Sequence, residues 1–190
     1  MGQSLSSIDK GMLHVYTGDG KGKTTSVIGL AIRAVASGKN VLIVQFDKGP
    51  VDNSYYSERT VLRTMENITL IATGCERMSD GQNFRFGNEK RDLEEAQRGV
   101  HETFLAIDSG KYDMIILDEI ITGVTYGLLK PENLEDIIDR WRENGRTSEL
   151  VLSGRGASEQ LIEQADLVTE MRSIKHYFDK GVPARKGIEF

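Results

Sequence analysis

The chain alternates short apolar runs with longer amphipathic segments. Apolar runs recur at 12–16, 41–46, 68–73, 114–119, 149–154 and 167–171. Continuous apolar runs of this length are typical of strands covered on both faces. The segments between them predict helices at 26–35, 53–66, 89–109, 130–145 and 158–165. Strands alternating with helices predict an α/β fold in three layers, with a mostly parallel sheet and helices on both faces.

Two stretches interrupt this alternation. Residues 1–10 are polar and serine-rich, which predicts a flexible tail. Residues 75–88 predict a loop, and a loop this long inside a compact domain is usually functional or disordered. Because no internal repeat or linker divides the chain of 190 residues, we expect a single domain over 1–190.

The tryptophan falls within one of the predicted helices. Leu134, Ile137, Ile138 and Trp141 follow the three- and four-residue spacing of one helical face. This spacing favours a place in the core for Trp141 over a role as a ligand platform.

Composition narrows the class of partner. A formal net charge of -5 and a pI near 5.3 leave no broad basic face, so we expect no nucleic acid partner. No apolar stretch approaches the roughly 20 residues that cross a bilayer, so no membrane association is expected. Cys75 is the only cysteine, which excludes an internal disulfide, and no charged-then-apolar leader precedes the first strand. These features predict a cytoplasmic protein.

The first predicted strand leads into a glycine-rich turn and then a helix. The turn reads Thr17-Gly18-Asp19-Gly20-Lys21-Gly22-Lys23-Thr24-Thr25. In this context Gly-Lys-Thr is typical of a phosphate-binding loop (P-loop), whose backbone amides and helix N-terminus face phosphate oxygens. Lys23 would reach the phosphates and Thr24 would coordinate Mg²⁺. The usual first glycine would stand at Thr17, and Gly18 comes one residue late.

Polar residues follow two later predicted strands. Asp118 and Glu119 end a strand that we expect to lie beside the first one, where an acid can hold Mg²⁺ directly or through water. Alone, an Asp-Glu pair after a strand marks a helix cap or a turn at least as often as a metal site. Together with the P-loop it favours the metal site, and Glu119 is favoured over Asp118 as the direct ligand. Arg155 stands between Gly154 and Gly156, where an exposed guanidinium suits phosphate, although a solvent-exposed turn arginine is the alternative.

These residues do not by themselves name a reaction. The sequence has no serine nucleophile elbow, no His-Glu-x-x-His segment and no paired-cysteine metal site. A P-loop with Mg²⁺ binds a nucleoside triphosphate without specifying which bond breaks. The residues fit a magnesium-dependent nucleotide enzyme or a nucleotide switch.

Several ordered motifs resemble the ATP:corrinoid (cobalamin) adenosyltransferases of the phosphate-loop type. The matching stretches are 15–25, 38–49, 116–119, 153–156, 165–172 and 175–190. The late first glycine is also a feature of that family. The resemblance implies a transferase that moves the 5′-deoxyadenosyl group of ATP to Co(I) of a corrinoid and releases triphosphate. It further implies a homodimer and a flavoprotein as the reductant of cobalt.

The resemblance also assigns roles by position. Lys23, Thr24 and Glu119 are the expected catalytic residues, which neutralise the departing triphosphate together with Mg²⁺. The expected ATP-binding residues are Gly18, Asp19, Gly20, Lys21, Gly22, Lys23, Thr24, Thr25, Arg33 and Arg155. The expected metal ligands are drawn from Thr24, Asp118 and Glu119.

The chain departs from the family pattern in two places. Asp19 stands where relatives usually carry Asn, and a carboxylate there repels phosphate unless it caps the loop or faces the metal. Relatives often place a Phe-x-Trp pair against the corrinoid just after position 74, whereas this chain has Cys75-Glu76-Arg77. Phe84 and Phe86 have the spacing to replace that pair, and they can equally be packing anchors of the loop. Two alternatives therefore stay open: an NTPase or kinase with another acceptor, and a nucleotide-binding regulatory protein that has lost corrinoid binding.

Overall fold

A computed structural model describes residues 10–50, 52, 55–79 and 83–190. The tail predicted at 1–10 therefore lies outside the described residues except for Lys10. The strands are β1 (Leu13–Thr17), β2 (Val41–Gln45), β3 (Ile68–Ala72), β4 (Met78–Ser79), β5 (Asn83–Phe84), β6 (Met114–Asp118), β7 (Glu149–Ser153) and β8 (Leu167–Glu170). The helices are α1 (Lys23–Ala36), α2 (Glu58–Leu62), α3 (Lys90–Ser109), α4 (Ile120–Thr125), α5 (Pro131–Glu143) and α6 (Glu159–Gln164), followed by a 3-10 helix at Tyr177–Lys180.

Six of these strands form one parallel sheet in the order β3-β2-β6-β7-β1-β8. In its register Val15 of β1 lies between Leu152 of β7 and Val168 of β8. The predicted α/β class with a parallel sheet is confirmed. Because all six strands run in one direction, their carboxyl ends meet at a single edge, which is where open α/β sheets bind ligands.

The strand that carries Asp118 is not a neighbour of β1. β1 pairs with β7 and β8, whereas β6 pairs with β2 and β7. The expectation that the two acids follow a strand beside the first is therefore wrong. The central strands are buried on both faces, so their residue patterns are alike and do not encode which strand lies next to which.

Helices cover both faces of the sheet. On one face, Val27 and Ala31 of α1 and Leu62 of α2 pack with Ile43 and Ile116 of the strands. On the other face, alternate strand residues pack against α3, α4, α5 and α6. That second cluster includes Leu42, Val44, Leu117, Val100, Ile121, Ile137 and Leu161. Successive strand residues face opposite sides, so a fully apolar strand supplies both layers of core.

Trp141 lies in the core, as predicted. It is 1% exposed, and its indole Nε1 donates a hydrogen bond to the carbonyl of Ser148 over 2.7 Å. α5 begins at Pro131, which suits the first helical position because the missing N–H would have no partner there.

Three local elements differ from the predictions. The helix expected over 53–66 is confined to α2, where buried Arg59 donates to the carbonyls of Lys48 and Pro50 over 2.9 and 2.7 Å. The loop expected over 75–88 contains the antiparallel pair of β4 and β5. The helix α4 was not predicted, because Ile120 and Ile121 continue the apolar run of β6. The strand ends there through a change of backbone conformation at Glu119, which adopts a left-handed φ of 65°. No helix in the described ranges is long and apolar enough to cross a membrane.

Candidate nucleotide-binding site

The P-loop is pressed against the end of β8. Gly18 and Gly22 adopt φ of 97° and 123°, in the region that glycine reaches without strain. The amide of Gly20 donates to the carbonyl of Met171 over 2.7 Å. A Cβ at Gly20 would come within 2.8 Å of that same oxygen. The loop conformation therefore requires small residues at these positions, and it delivers the chain directly into the N-terminus of α1.

Lys23 folds its side chain back into this loop. Its Nζ donates to the carbonyls of Gly18 and Gly20 over 2.6 and 2.9 Å, and the residue is buried. Burial lowers the pKa of Lys23, and the neighbouring charge of Arg155 lowers it further, while Glu119 and Asp19 act in the opposite direction. An ammonium group inside a phosphate-binding loop is the arrangement expected for a group that meets the nucleotide's phosphates.

Asp118 forms the centre of a buried polar cluster below the loop. It is 0% exposed, and its Oδ2 accepts from Lys48 Nζ over 2.6 Å. Its Oδ1 accepts from the hydroxyls of Ser153 and Thr24 over 2.7 and 3.0 Å. Lys48 Nζ also lies 3.1 Å from the hydroxyl oxygen of Thr24. Asp118 thus reaches the P-loop across the end of β7, although the two strands are not neighbours.

The charges of this cluster stabilise one another. Burial alone would raise the pKa of Asp118, but the charge of Lys48 and the hydrogen bonds from Lys48, Ser153 and Thr24 outweigh it and lower that pKa. Burial alone would lower the pKa of Lys48, but Asp118 outweighs it and raises that pKa. Both groups are therefore ionised at neutral pH, as a buried charge pair with further hydrogen bonds can be.

The side chain of Glu119 makes different contacts from that of Asp118. Its amide donates to the hydroxyl of Ser153 over 3.0 Å, and its carboxylate accepts from the hydroxyl of Thr122. Its left-handed backbone is uncommon for a residue other than glycine, and such residues cluster at functional sites. The turn buries the Asp118 side chain and leaves Glu119 lining a cavity.

That cavity has a volume of about 900 Å³. One side is formed by the P-loop from Asp19 to Thr25, with Glu119 and Arg155. Arg155 is exposed there because its flanking glycines take φ of 144° and 78°, and its amide donates to Thr122 Oγ1 over 2.9 Å. Another part of the lining is formed by C-terminal residues, among them Phe178, Ile188 and Phe190. The cavity is of the size that small-molecule and cofactor sites have.

Arg33 and Phe86 are not among the residues that line the cavity. Arg33 is exposed in the last turn of α1, roughly 15 Å along the helix from Lys23 at 1.5 Å per residue, and is not among the residues lining the cavity. Phe84 lies in β5, with its side chain outside the described part of the structure. Phe86 follows it and is 86% exposed.

Two arginines hold the loop that carries Phe86. Arg77 donates to Asp47 Oδ1 over 2.8 Å and to the carbonyl of Gly87 over 2.7 Å. Arg85 donates to both carboxylate oxygens of Asp92 over 2.7 and 2.8 Å, and these bonds keep the pKa of Asp92 well below its usual range. Since Asp47 precedes Lys48, the loop is tied to the same sheet edge as the P-loop.

Sequence reasoning assigned no role in the site to Lys48, to Ser153 or to the lining residues within 176–190, although all of them fall in stretches that resemble the family. Lys48 and Ser153 do carry a signal, because each stands at or just after the carboxyl end of a buried strand. The C-terminal residues form no regular element long enough to leave a periodic pattern, so nothing in their spacing connects them to the P-loop.

The fold and the site together define a P-loop nucleotide-binding protein of the α/β class. Comparison with known proteins narrows this class: the family described as ATP:corrinoid adenosyltransferase BtuR/CobO/CobP matches residues 9–190. The chain therefore belongs to the ATP:corrinoid adenosyltransferase family, as its motifs suggested.

Curated relatives agree with this assignment. The chain is 36% identical over 186 residues to the Corrinoid adenosyltransferase of Escherichia coli strain K12, covering 96% of this chain and 87% of the relative. It is 34% identical to the Corrinoid adenosyltransferase CobA of Salmonella typhimurium strain LT2, with the same coverage of 96% and 87%. The Corrinoid adenosyltransferase of Pseudomonas aeruginosa is 30% identical, over 96% of this chain and 85% of the relative.

Proposed function

We propose that this chain transfers the 5′-deoxyadenosyl group of ATP to Co(I) of a corrinoid and releases triphosphate, as a step of cobalamin biosynthesis. One observation carries the proposal: in a chain of this family, a P-loop with a buried lysine borders a cavity of about 900 Å³ lined by Glu119 and Arg155. The names of the relatives support the same activity.

The proposed reaction is a nucleophilic displacement at carbon. The cobalt electron pair forms a bond to the ribose C5′, the bond from C5′ to the triphosphate oxygen breaks, and its electron pair leaves with the triphosphate. The protein must hold C5′ in line with cobalt and neutralise charge on the leaving group. Lys23, Arg155 and the N-terminus of α1 supply positive charge on the P-loop side of the cavity.

The residues at the cavity fit a Mg²⁺ ion. Mg²⁺ prefers oxygen ligands and usually takes only one or two carboxylates together with phosphates and waters. Thr24 and Glu119 line the cavity, whereas both oxygens of Asp118 are engaged by Lys48, Thr24 and Ser153. We therefore assign Thr24 and Glu119 to the metal and Asp118 to positioning Thr24. When bound, the ion would supply positive charge to the triphosphate.

The corrinoid is assigned to the loop that carries Phe84 and Phe86. Phe86 is exposed, and Arg77 and Arg85 hold its loop in place through hydrogen bonds. These features support the assignment, because an aromatic side chain that is held in position can pack against the corrinoid ring. Substituting both phenylalanines by Ala should spare ATP affinity and abolish adenosylation. Unchanged turnover would contradict this assignment. A homodimer and a flavoprotein reductant are further parts of the proposal that rest on the family resemblance.

The test is incubation with Mg-ATP and chemically reduced cobalamin, followed by the visible spectrum of the product and an assay for triphosphate. Lys23→Ala should lose the activity, whereas Lys39→Ala, at an exposed position after α1, should keep it. ADP or inorganic phosphate as the product would instead indicate a kinase or NTPase. Tight ATP binding without any product would indicate a regulatory protein.

A further inference from the structure

The cavity has two chemically different walls. The P-loop wall carries amides, Lys23 and Arg155, which suit phosphate. The other wall comes from residues 173–190, here called the C-terminal segment, and it contributes Phe178, Ile188 and Phe190 to the lining. Phe178 is 68% exposed and Ile188 is 53% exposed, so apolar surface stays uncovered on this wall.

The C-terminal segment is anchored to the rest of the site. Lys21 of the P-loop donates from Nζ to the carbonyl of Ile188 over 2.7 Å. The hydroxyl of Ser57 donates to the carbonyl of Phe190 over 3.2 Å. The ring of Phe190 stacks on Tyr55 with centroids 4.0 Å apart and planes 5° apart. These contacts connect the segment both to the P-loop and to the stretch before α2.

Bonds inside the segment fold it back on itself. Glu189 accepts from the amide of Arg185 over 2.7 Å and from the hydroxyl of Tyr177. The amide of Gly187 donates to the carbonyl of Phe190 over 2.6 Å. Gly181, with φ of 81°, ends the short 3-10 helix that carries Phe178. Phe178 thus lies in a turn whose backbone is held by hydrogen bonds within the segment.

The two phenylalanines of this wall differ in their contacts. Phe190 already stacks on Tyr55, which makes it part of the anchor. Phe178 has only His176 as a ring neighbour among the described contacts, edge-on with centroids 6.5 Å apart. An aromatic face that borders a cavity beside a phosphate site suits the planar base of a nucleotide, because stacking on a base is favourable for any base.

We propose that the C-terminal segment binds the nucleoside half of ATP, with the base against Phe178 and the apolar side of Ile188. This inference rests on the proposed function, since it assumes that the P-loop holds the triphosphate. It explains why one cavity joins a cationic wall to an aromatic one, and it makes the segment the part of the site that distinguishes a nucleotide from bare polyphosphate.

The test compares ATP with inorganic tripolyphosphate, which carries the phosphates without the nucleoside. Isothermal titration in the presence of Mg²⁺ would measure both affinities for the full chain and for Phe178→Ala. We expect Phe178→Ala to weaken ATP binding about tenfold, the usual scale of base stacking, and to leave tripolyphosphate binding within about twofold. Phe178→Trp should keep ATP affinity, because it retains an aromatic face.

Ile174→Ala is the matched control within the same segment. Ile174 is 87% exposed and does not line the cavity, so neither affinity should change. An equal loss for both ligands in Phe178→Ala, or no loss for either, would overturn the inference and leave the proposed function intact. Tripolyphosphate binding that survives Lys23→Ala unchanged would overturn both, because the P-loop would then not hold the phosphates.

Discussion

The buried pair of Lys48 and Asp118 offers a direct test of how the site is held together. Lys48→Met keeps most of the apolar stem of the side chain and removes the ammonium. The carboxylate of Asp118, which is 0% exposed, would keep its bonds from Ser153 and Thr24 but lose its 2.6 Å contact with a positive charge. The variant therefore leaves a buried negative charge without an opposite charge beside it.

The expected cost follows from that burial. Removing one member of a buried ion pair lowers the free energy of unfolding by about 3–5 kcal/mol, because the remaining charge stays desolvated. For a chain of this size, about 1 kcal/mol corresponds to roughly 2–4 °C in the unfolding midpoint. We therefore expect Lys48→Met to unfold about 6–20 °C below the unmodified protein in a thermal melt followed by circular dichroism.

A double-mutant cycle separates the charge pair from simple loss of packing. Asp118→Asn removes the negative charge as well, so Lys48→Met with Asp118→Asn should lose less than the sum of the two single variants, by at least about 1 kcal/mol. Lys90→Met is the surface control, since the Lys90 side chain is 89% exposed and the change should stay within about 0.5 kcal/mol. Additive losses in the cycle, or a Lys48→Met melt that matches the Lys90→Met melt, would refute the reasoning.

Three other predictions test the surrounding geometry, the first of them with a control substitution. Gly20→Ala places a Cβ 2.8 Å from the backbone after β8 and should weaken ATP binding more than tenfold in a titration. Its control is Gly29→Ala, whose Cβ has nothing within 4 Å and which should raise the melting midpoint by about 2–4 °C. Equal ATP affinities of Gly20→Ala and the unmodified protein would contradict this prediction. Asp19→Asn removes an exposed carboxylate that lines the cavity and should tighten tripolyphosphate binding about fivefold. That factor corresponds to about 1 kcal/mol of repulsion between nearby charges in water. Weaker binding would mean that Asp19 caps the loop or faces the metal. Arg85→Gln should lower the melting midpoint at pH 7, because Arg85 donates to the carboxylate of Asp92. The folded pKa of Asp92 lies below its unfolded value near 3.9. The stabilisation by this contact is therefore fully present above about pH 3.9 and is lost as the pH falls through the folded pKa. The difference between the melting midpoints of protein and variant should therefore begin to shrink as the pH falls below about 4, and a difference that is the same at every pH would count against the Arg85 contact.

Local signals in the sequence were sufficient for much of the fold. The P-loop was predictable because glycine spacing and an adjoining apolar run act over a few residues, and the observed φ of Gly18 and Gly22 are those that glycine allows. The place of Trp141 in the core was predictable because a helical face repeats every three or four residues. The break at Glu119 was not, since it is a change of backbone conformation inside an apolar run.

The sequence by itself determined the class of fold, the P-loop and the family motifs, because each of these depends on residues that are close together in the chain. Only the tertiary structure decided that β7 lies between β1 and β6, and that Lys48 neutralises Asp118 from a position 70 residues away. It also decided that Ile188 contacts Lys21 across 167 residues, so that C-terminal residues line the cavity together with the P-loop. Contacts between distant residues depend on how the strands are ordered and how loops cross the sheet edge, and buried strands of similar composition leave that order unspecified.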